Sequence, residues 1–532
     1  MFPAHSPEAE LTPPPADRPN VLLILADDLG FSDAGCYGSE IPTPNLDRLA
    51  AHGIRMSSFY TTPRCSPTRA SLMTGRYSHD VGIGVLTRTV GYRGSLDPAV
   101  PTLAGVLAEQ GYLTSLTGKW HLSADVSEPN ETWPTRRGFE DFYGILGGGT
   151  SYFNPRAFYR NEDPIEAPAD DAFYLTDALS DHALEVIDWA GRENRPYFLY
   201  LAYTAPHWPL QAPDDDIAVH RGRYHVGWDA AREAREARQA ELDLFPAPFR
   251  PSPRDPQEPA WSATDDPDWQ QRRMEVFAAQ VTAMDRGIGR ILDDLESRGE
   301  LENTLVLFLS DNGAEAEELQ VGRFLSPHVT PKVTRQGDDV TIGNAPDIEP
   351  GPEHTFTSYG RPWANLSNTP FRMYKKWVHE GGIAAPLIVS WPAGGISSGE
   401  VLHSPMHVID LLPTIASAVG ATAPDEIAGV DVLDALRGGP SPERPLFWEH
   451  IGNGAVRDGR WKLTREHGSA WELYDMEADR AELDDLSTRY PEIVESLAAR
   501  WHEWADAHGV IPFPRLQDMY EERGLPRWQA KS

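Results

Sequence analysis

Val21-Leu22-Leu23-Ile24-Leu25-Ala26 is an unbroken aliphatic run that stops abruptly on Asp27-Asp28. A half-exposed strand would alternate apolar and polar residues; this one does not. It therefore reads as a strand buried on both faces, the hallmark of a parallel sheet covered by helices. Similar runs recur at Leu113 to Thr117, Tyr197 to Tyr203, Leu305 to Leu309 and Pro386 to Trp391. Between them, Pro101 to Tyr112 and Met274 to Arg298 carry apolar residues at helical spacing, the first closing on Gly111. Strand–helix alternation of this kind predicts an α/β fold built on a large, mostly parallel sheet flanked by helices.

Polar residues able to do chemistry follow several of these strands directly. Asp27-Asp28 ends the first, Gly118-Lys119-Trp120-His121 the second, Thr204-Ala205-Pro206-His207 the third and Ser310-Asp311-Asn312-Gly313 the fourth. In open parallel sheets ligands bind at the carboxyl ends of the strands, so the fold class would bring these segments to one edge. Ala230 to Glu241 reads as an exposed charged helix, while Pro246 to Ala260 and Gly322 to Pro362 read as loops or lids. From about Pro445 the pattern changes to short strands joined by an Asp458-Gly459 turn, with a closing helix over Tyr490 to His508. The expected division is a Pro-rich tail (1–18), a catalytic domain (19–440) and a smaller α+β domain with an antiparallel sheet (441–532).

The 532 residues include 80 acidic and 47 basic side chains, a formal net charge of −33. Such a surface argues against nucleic acid or an anionic membrane as the main partner. Two cysteines, Cys36 and Cys65, exclude a disulfide scaffold, and neither lies in a Cys-x-x-Cys pattern. The N-terminus lacks a basic start followed by an apolar stretch, and no run has the ~18 apolar residues a membrane span needs. A cytoplasmic location is the expectation.

Cys65-Ser66-Pro67-Thr68-Arg69 precedes Ala70-Ser71-Leu72-Met73-Thr74-Gly75-Arg76. Ser66 suits a helix cap and Pro67 a first turn, which sets Cys65 at a helix N-terminus, where N–H groups and the dipole favour anions. A lone cysteine before a helix is, on its own, more often a structural thiol. Asp-Asp and Asp-Asn-Gly are common turn sequences, and single Lys and His residues are usually solvated or packed.

Taken jointly, these segments resemble the type I sulfatases of the alkaline phosphatase superfamily. The Cys-x-Pro-x-Arg string carries the resemblance, which extends from about Pro19 to Leu486. APHWPLQAP (205–213) and SNTPFRMYK (367–375) with HEGG (379–382) are most similar to bacterial arylsulfatases. The resemblance implies an alkaline-phosphatase-like fold with a large mixed, mostly parallel sheet, and oxidation of Cys65 to formylglycine by a maturation enzyme. One hydroxyl of the hydrated aldehyde would attack sulfur and expel the alcohol; the other would collapse and expel sulfate. Asp27, Asp28, Asp311, Asn312 and position 65 would hold one Ca²⁺, with Mg²⁺ the other ion suited to a hard oxygen set. Arg69 would brace the nucleophile and the carboxylates, and Lys119 and Lys375 would hold sulfate oxygens. His207 would protonate or stabilise the leaving oxygen, and His121 would take the proton that triggers sulfate release. The implied substrate is a small sulfate ester, an aryl sulfate first. Alkyl or carbohydrate sulfates, phosphonates and phosphodiesters are the alternatives on this scaffold. Without maturation of Cys65 a silent anion-binding protein would result. Glu380 reads as a turn residue that could orient the site, Trp208 as a leaving-group wall, Cys36 as a structural thiol and Asp33 as an outer support.

Overall fold

The computed structural model describes residues 18–169 and 172–527; nearly all of the expected N-terminal tail lies outside them. Ten strands form the main sheet: β1 (Asn20–Asp27), β2 (Ile54–Met56), β3 (Leu113–Lys119), β4 (Asp141–Ile145), β5 (Phe158–Arg160), β6 (Asp163–Pro164), β7 (Tyr197–Pro206), β8 (Thr304–Ser310), β9 (Leu387–Ser390) and β10 (Val401–Leu402). Their spatial order is β10-β2-β9-β8-β1-β7-β3-β4-β5-β6. The aliphatic run of β1 lies centrally between β7 and β8, parallel to both.

Alternate residues of β1 feed two cores, as a sheet covered on both faces requires. Leu22, Ile24 and Ala26 pack with helices Leu175–Glu193 and Pro267–Ser297. Val21, Leu23 and Leu25 pack with Leu72 and Met73 of helix Cys65–Thr74 and with Leu411, Leu412 and Ile415. Burial at each aliphatic position of this central strand contributes roughly 1.5–3 kcal/mol.

The sheet is mixed and mostly parallel, as expected; β9 runs antiparallel to both β8 and β2. Leu387 pairs with Leu309 near the carboxyl end of β8, so the segment before β9 reaches the same edge as the segments after its neighbours. Three sequence expectations are corrected. First, helix Gly227–Glu241 is not a solvated face: Arg235 is fully buried, bonded to Asp33 (2.7 Å) and Glu40 (2.8 Å). Second, the long helix begins at Pro267, seven residues earlier than its apolar spacing suggested, because its first turns carry polar residues. Third, Cys65 is itself the first helical residue; extended Arg64 is the N-cap, and Ser66 lies inside the helix with its hydroxyl unpartnered.

β11 (Leu446–His450), β12 (Asn453–Asp458), β13 (Trp461–Arg465) and β14 (Glu472–Asp475) form a four-stranded antiparallel sheet in chain order. Helix Pro491–Ala507 covers it, with Leu497, Trp501 and Trp504 against Val456, Leu463 and Leu473. No described helix is long and apolar enough to cross a membrane.

Candidate active site

Register assembles the site. Ala26 is level with Ser310, Asp27 with Pro206, and Gly118 with Ala202, so Asp27-Asp28, Asp311-Asn312, His207 and Lys119 all emerge at one edge. Asp28 takes a left-handed backbone (φ +67°) just past the end of β1. Asp residues tolerate that region better than most.

Arg69, four residues into the helix from Cys65, is fully buried and donates to Asp311 Oδ2 from Nε (3.0 Å) and Nη2 (2.8 Å). Its Nη1 donates to the Lys119 carbonyl (2.8 Å). Lys119 Nζ donates to Asp27 Oδ2 (2.6 Å), and Lys375 Nζ to both Asp28 oxygens (2.8 Å each). Asn312 Nδ2 donates to Asp28 Oδ1 (2.7 Å), and His207 Nε2 lies 3.4 Å from Asp28 Oδ2. Cys65 Sγ is 3.3 Å from His121 Nδ1. Asp28 N donates to Asp311 Oδ1 (3.2 Å), joining the two carboxylate groups, so the ten residues expected to hold the ion and do the chemistry are buried together at one edge.

The charge states follow from that packing. Burial opposes ionisation of Asp28, yet Lys375, then His207 and Lys119, hold its carboxyl far below the usual range. Burial and the neighbouring Asp27 charge raise Asp311 in spite of Arg69. Burial pushes the Cys65 thiol up, with Lys119 and Lys375 pulling it back. Burial takes His207 down to about 4, and it takes His121, next to Lys119, well below the ordinary imidazole value. His207 Nδ1 sits 2.6 Å from the Trp208 carbonyl, which can only accept, so the proton is on Nδ1 and Nε2 faces the site.

A cation fits here. Asp27, Asp28 and Asp311 bring three buried carboxylates together. Asp27 Oδ1 and Asn312 Oδ1 are buried with no hydrogen-bond partner. Orphaned oxygens beside closely spaced carboxylates are the donor chemistry of a hard divalent ion. The ligand atoms of Asp27, Asp28 and His207 also lie within 4.8 Å of one another, so an imidazole stands at the rim of the oxygen set.

Sequence reading missed three contributors. Glu315 bonds Lys375 (2.9 Å), giving that lysine carboxylates on two sides. Its signal was available: it lies four residues past Asp311 on the same loop. Gly148 and Gly149 back the histidines, where a Cβ would sit 2.6 Å from His121 Cε1 and 3.1 Å from His207 Cε1. The Gly-Gly-Gly run after β4 carried that information. Asn368 clamps the lysine loop by donating to the Met373 (2.9 Å) and Gly381 (2.8 Å) carbonyls while accepting from Ala314 N (2.9 Å).

Other expectations sort differently. Glu380 turns away from the site to Lys462 (2.7 Å) and Tyr60 (3.0 Å), joining the C-terminal sheet instead. Asp33 receives the Gly30 N–H (2.9 Å) and Arg235, fixing the loop after Asp28. Cys36 is a buried thiol. The Trp208 ring stands 4.6 Å from the His207 ring, half-buried.

The architecture is alkaline-phosphatase-like: the crystal structure of Ps i-CgsB superposes with a TM-score of 0.70 at 25% identity, covering 96% of this chain and 98% of that one. A sulfatase family model matches residues 19–421, and one for the C-terminal part of N-sulphoglucosamine sulphohydrolase matches 371–506. The chain belongs to the sulfatase family. Among its relatives, an arylsulfatase of Klebsiella aerogenes is 36% identical over 79% of this chain and 90% of its own length. An uncharacterized sulfatase of Schizosaccharomyces pombe is 34% identical over 93% and 95%.

Proposed function

We propose that the protein is an arylsulfatase that hydrolyses sulfate monoesters with a formylglycine made from Cys65. The observation that carries this reading is the Lys119–Asp27 and Lys375–Asp28 pairing around the helix that begins at Cys65. Matured, position 65 supplies two hydroxyls on one carbon, a nucleophile with its own route to product release. Asp27, Asp28, Asp311 and Asn312 would hold a divalent ion, Ca²⁺ first, which supplies Lewis acidity and charge neutralisation.

The chain's own residues would do the rest. Lys119 and Lys375 bind sulfate oxygens, on which charge is concentrated as the ester bond breaks. Arg69, locked to Asp311 and the Lys119 carbonyl, holds both flanks of the nucleophile in register. His121 Nδ1 takes a proton from the side chain at 65, a role suited to an imidazole kept neutral by its burial. His207 would serve the leaving oxygen as the imidazolium, Nε2 donating its proton while Nδ1–H stays on the Trp208 carbonyl. Trp208 supports an aromatic leaving group by offering a ring beside that imidazole. A carbohydrate ester is the second reading, favoured by the C-terminal match to a sulphoglucosamine enzyme.

Two measurements test the proposal. The matured protein should weigh about 18 Da less than its encoded mass, the difference between thiol and aldehyde; full activity with an intact thiol refutes the mechanism. Values of kcat/KM should favour an aryl sulfate over alkyl and carbohydrate sulfates and a phosphonate monoester. A preference for any of those three rejects the aryl assignment.

A further inference from the structure

Arg64, the residue before Cys65, adopts an extended backbone at the head of the helix and is half-buried. Its Nε is buried without a partner, and its guanidinium makes no ion pair among the described residues. It lies within electrostatic reach of Glu315, Lys375 and His450. His450 ends β11 with 1% of its surface exposed and with neither ring nitrogen hydrogen-bonded. A buried imidazole without partners is costly to keep, a buried Nε without an acceptor adds to that cost, and the two groups lie within electrostatic reach of each other.

The surroundings fix them beside the reacting centre. Trp448 Nε1 donates to the Thr61 carbonyl (2.9 Å), Lys376 N to the Pro63 carbonyl (2.8 Å), and Asn453 Nδ2 to the Lys376 carbonyl (3.0 Å). Residues 61–64, 375–376 and 448–453 are thereby laced together around Arg64. The nearby carboxylates are committed elsewhere. Glu315 bonds Lys375 (2.9 Å), Glu449 bonds His79 (3.0 Å) and Gly452 N (2.7 Å), and Glu317 stands 3.7 Å from Lys376.

We propose that Arg64 and His450 form a subsite for a second anionic group, a carboxylate or a further sulfate, carried by the leaving alcohol or phenol. The proposal rests on the sulfatase reading. A planar guanidinium pairs a carboxylate or sulfate with two parallel N–H···O bonds, which specifies orientation as well as charge. Arg64 precedes position 65 and lies within electrostatic reach of Lys375, so an anion held there can belong to the molecule whose ester is being cleaved.

The test compares 3-carboxy-4-nitrophenyl sulfate with its methyl ester, which has a similar leaving group but no second charge. The matured enzyme should favour the acid by about tenfold in kcat/KM at low salt, mostly through KM, and lose that preference as salt rises. Arg64→Met should bring the ratio near unity, and Arg64→Lys should keep part of it. A ratio near unity in the native enzyme, which needs no variant to fold, overturns the subsite while leaving the sulfatase reading intact. An unchanged ratio in Arg64→Met does the same. If neither ester is hydrolysed by protein whose mass shows maturation, the arylsulfatase reading fails and the subsite with it.

Discussion

Lys375 is held between Asp28 and Glu315, all three nearly without solvent contact. Burial alone would drive the ammonium to lose its proton, but the two carboxylates raise its pKa well above the ordinary value. Removing one member of such a group strands the others in a medium that cannot solvate them. Lys375→Met should therefore cost about 3–5 kcal/mol in urea unfolding. It should also lower kcat/KM on an aryl sulfate by about 10²–10³, the scale for losing one group that stabilises developing charge. A variant with native stability and native turnover would show that the lysine is incidental. In the sequence, Lys375 was visible only through the family string that contains it, and Glu315 only through its place four residues past Asp311. That position puts the glutamate near the site but does not show which cation it will face.

Helix Gly227–Glu241 shows why charge composition misleads at the level of an element. Its repeated Arg and Glu suggested a solvated face, yet Arg235 crosses into the interior and ties the loop after β1 through Asp33 and Glu40. Burial would raise the Glu40 carboxyl, but Arg235 overrides it and pulls its pKa from 4.5 to about 2. A depressed folded-state pKa contributes stability above about 4.5 and loses it as pH falls toward 2. From that shift the contribution is about 3 kcal/mol. In Glu40→Gln, the stability deficit relative to wild type should be full at neutral pH and should shrink across that window. A deficit constant from pH 5 to 2.5 would contradict the assignment. Patterning could locate this helix but not its Arg235 partners, which are about 200 positions away in the chain.

Across the whole molecule, the C-terminal sheet meets the segments that lead to the site in a buried ionic network. Lys462 of β13 bonds Glu380 (2.7 Å) and Glu482 (2.8 Å), Arg480 pairs with Glu380, and Arg457 of β12 bonds Tyr60. Tyr60 leads to Cys65, and Glu380 opens the turn whose Gly382 carbonyl accepts from Gly313 N (3.2 Å) beside Asn312. The C-terminal sheet thus bears on two loops of the site without contributing to its cluster of carboxylates and lysines. Lys462→Met should destabilise the protein by about 3–5 kcal/mol and lower kcat more than it raises KM. Unaltered kcat in a folded but destabilised variant would confine the network to stability. The −33 net charge belongs to this scale too. With a Debye length of about 8 Å, distant surface carboxylates are screened from an anionic ester, which meets Lys119 and Lys375 instead.

The sequence by itself determined the central strand, the carboxylates that end it, the helix that begins near Cys65 and the family to which these belong. Those features are local: aliphatic runs, turn residues and a constrained motif act over a few positions of chain. The tertiary structure decided which charges share a space. It reversed β9, and so carried Lys375 to the edge where Asp28 ends β1. It also buried Arg235, sent Glu380 to the C-terminal sheet, and left the ring of His450 and the Nε of Arg64 without hydrogen-bond partners. Each of these depends on residues tens to hundreds of positions apart, and only packing brings such residues within a few ångströms, where desolvation and Coulomb energy set what a side chain can do.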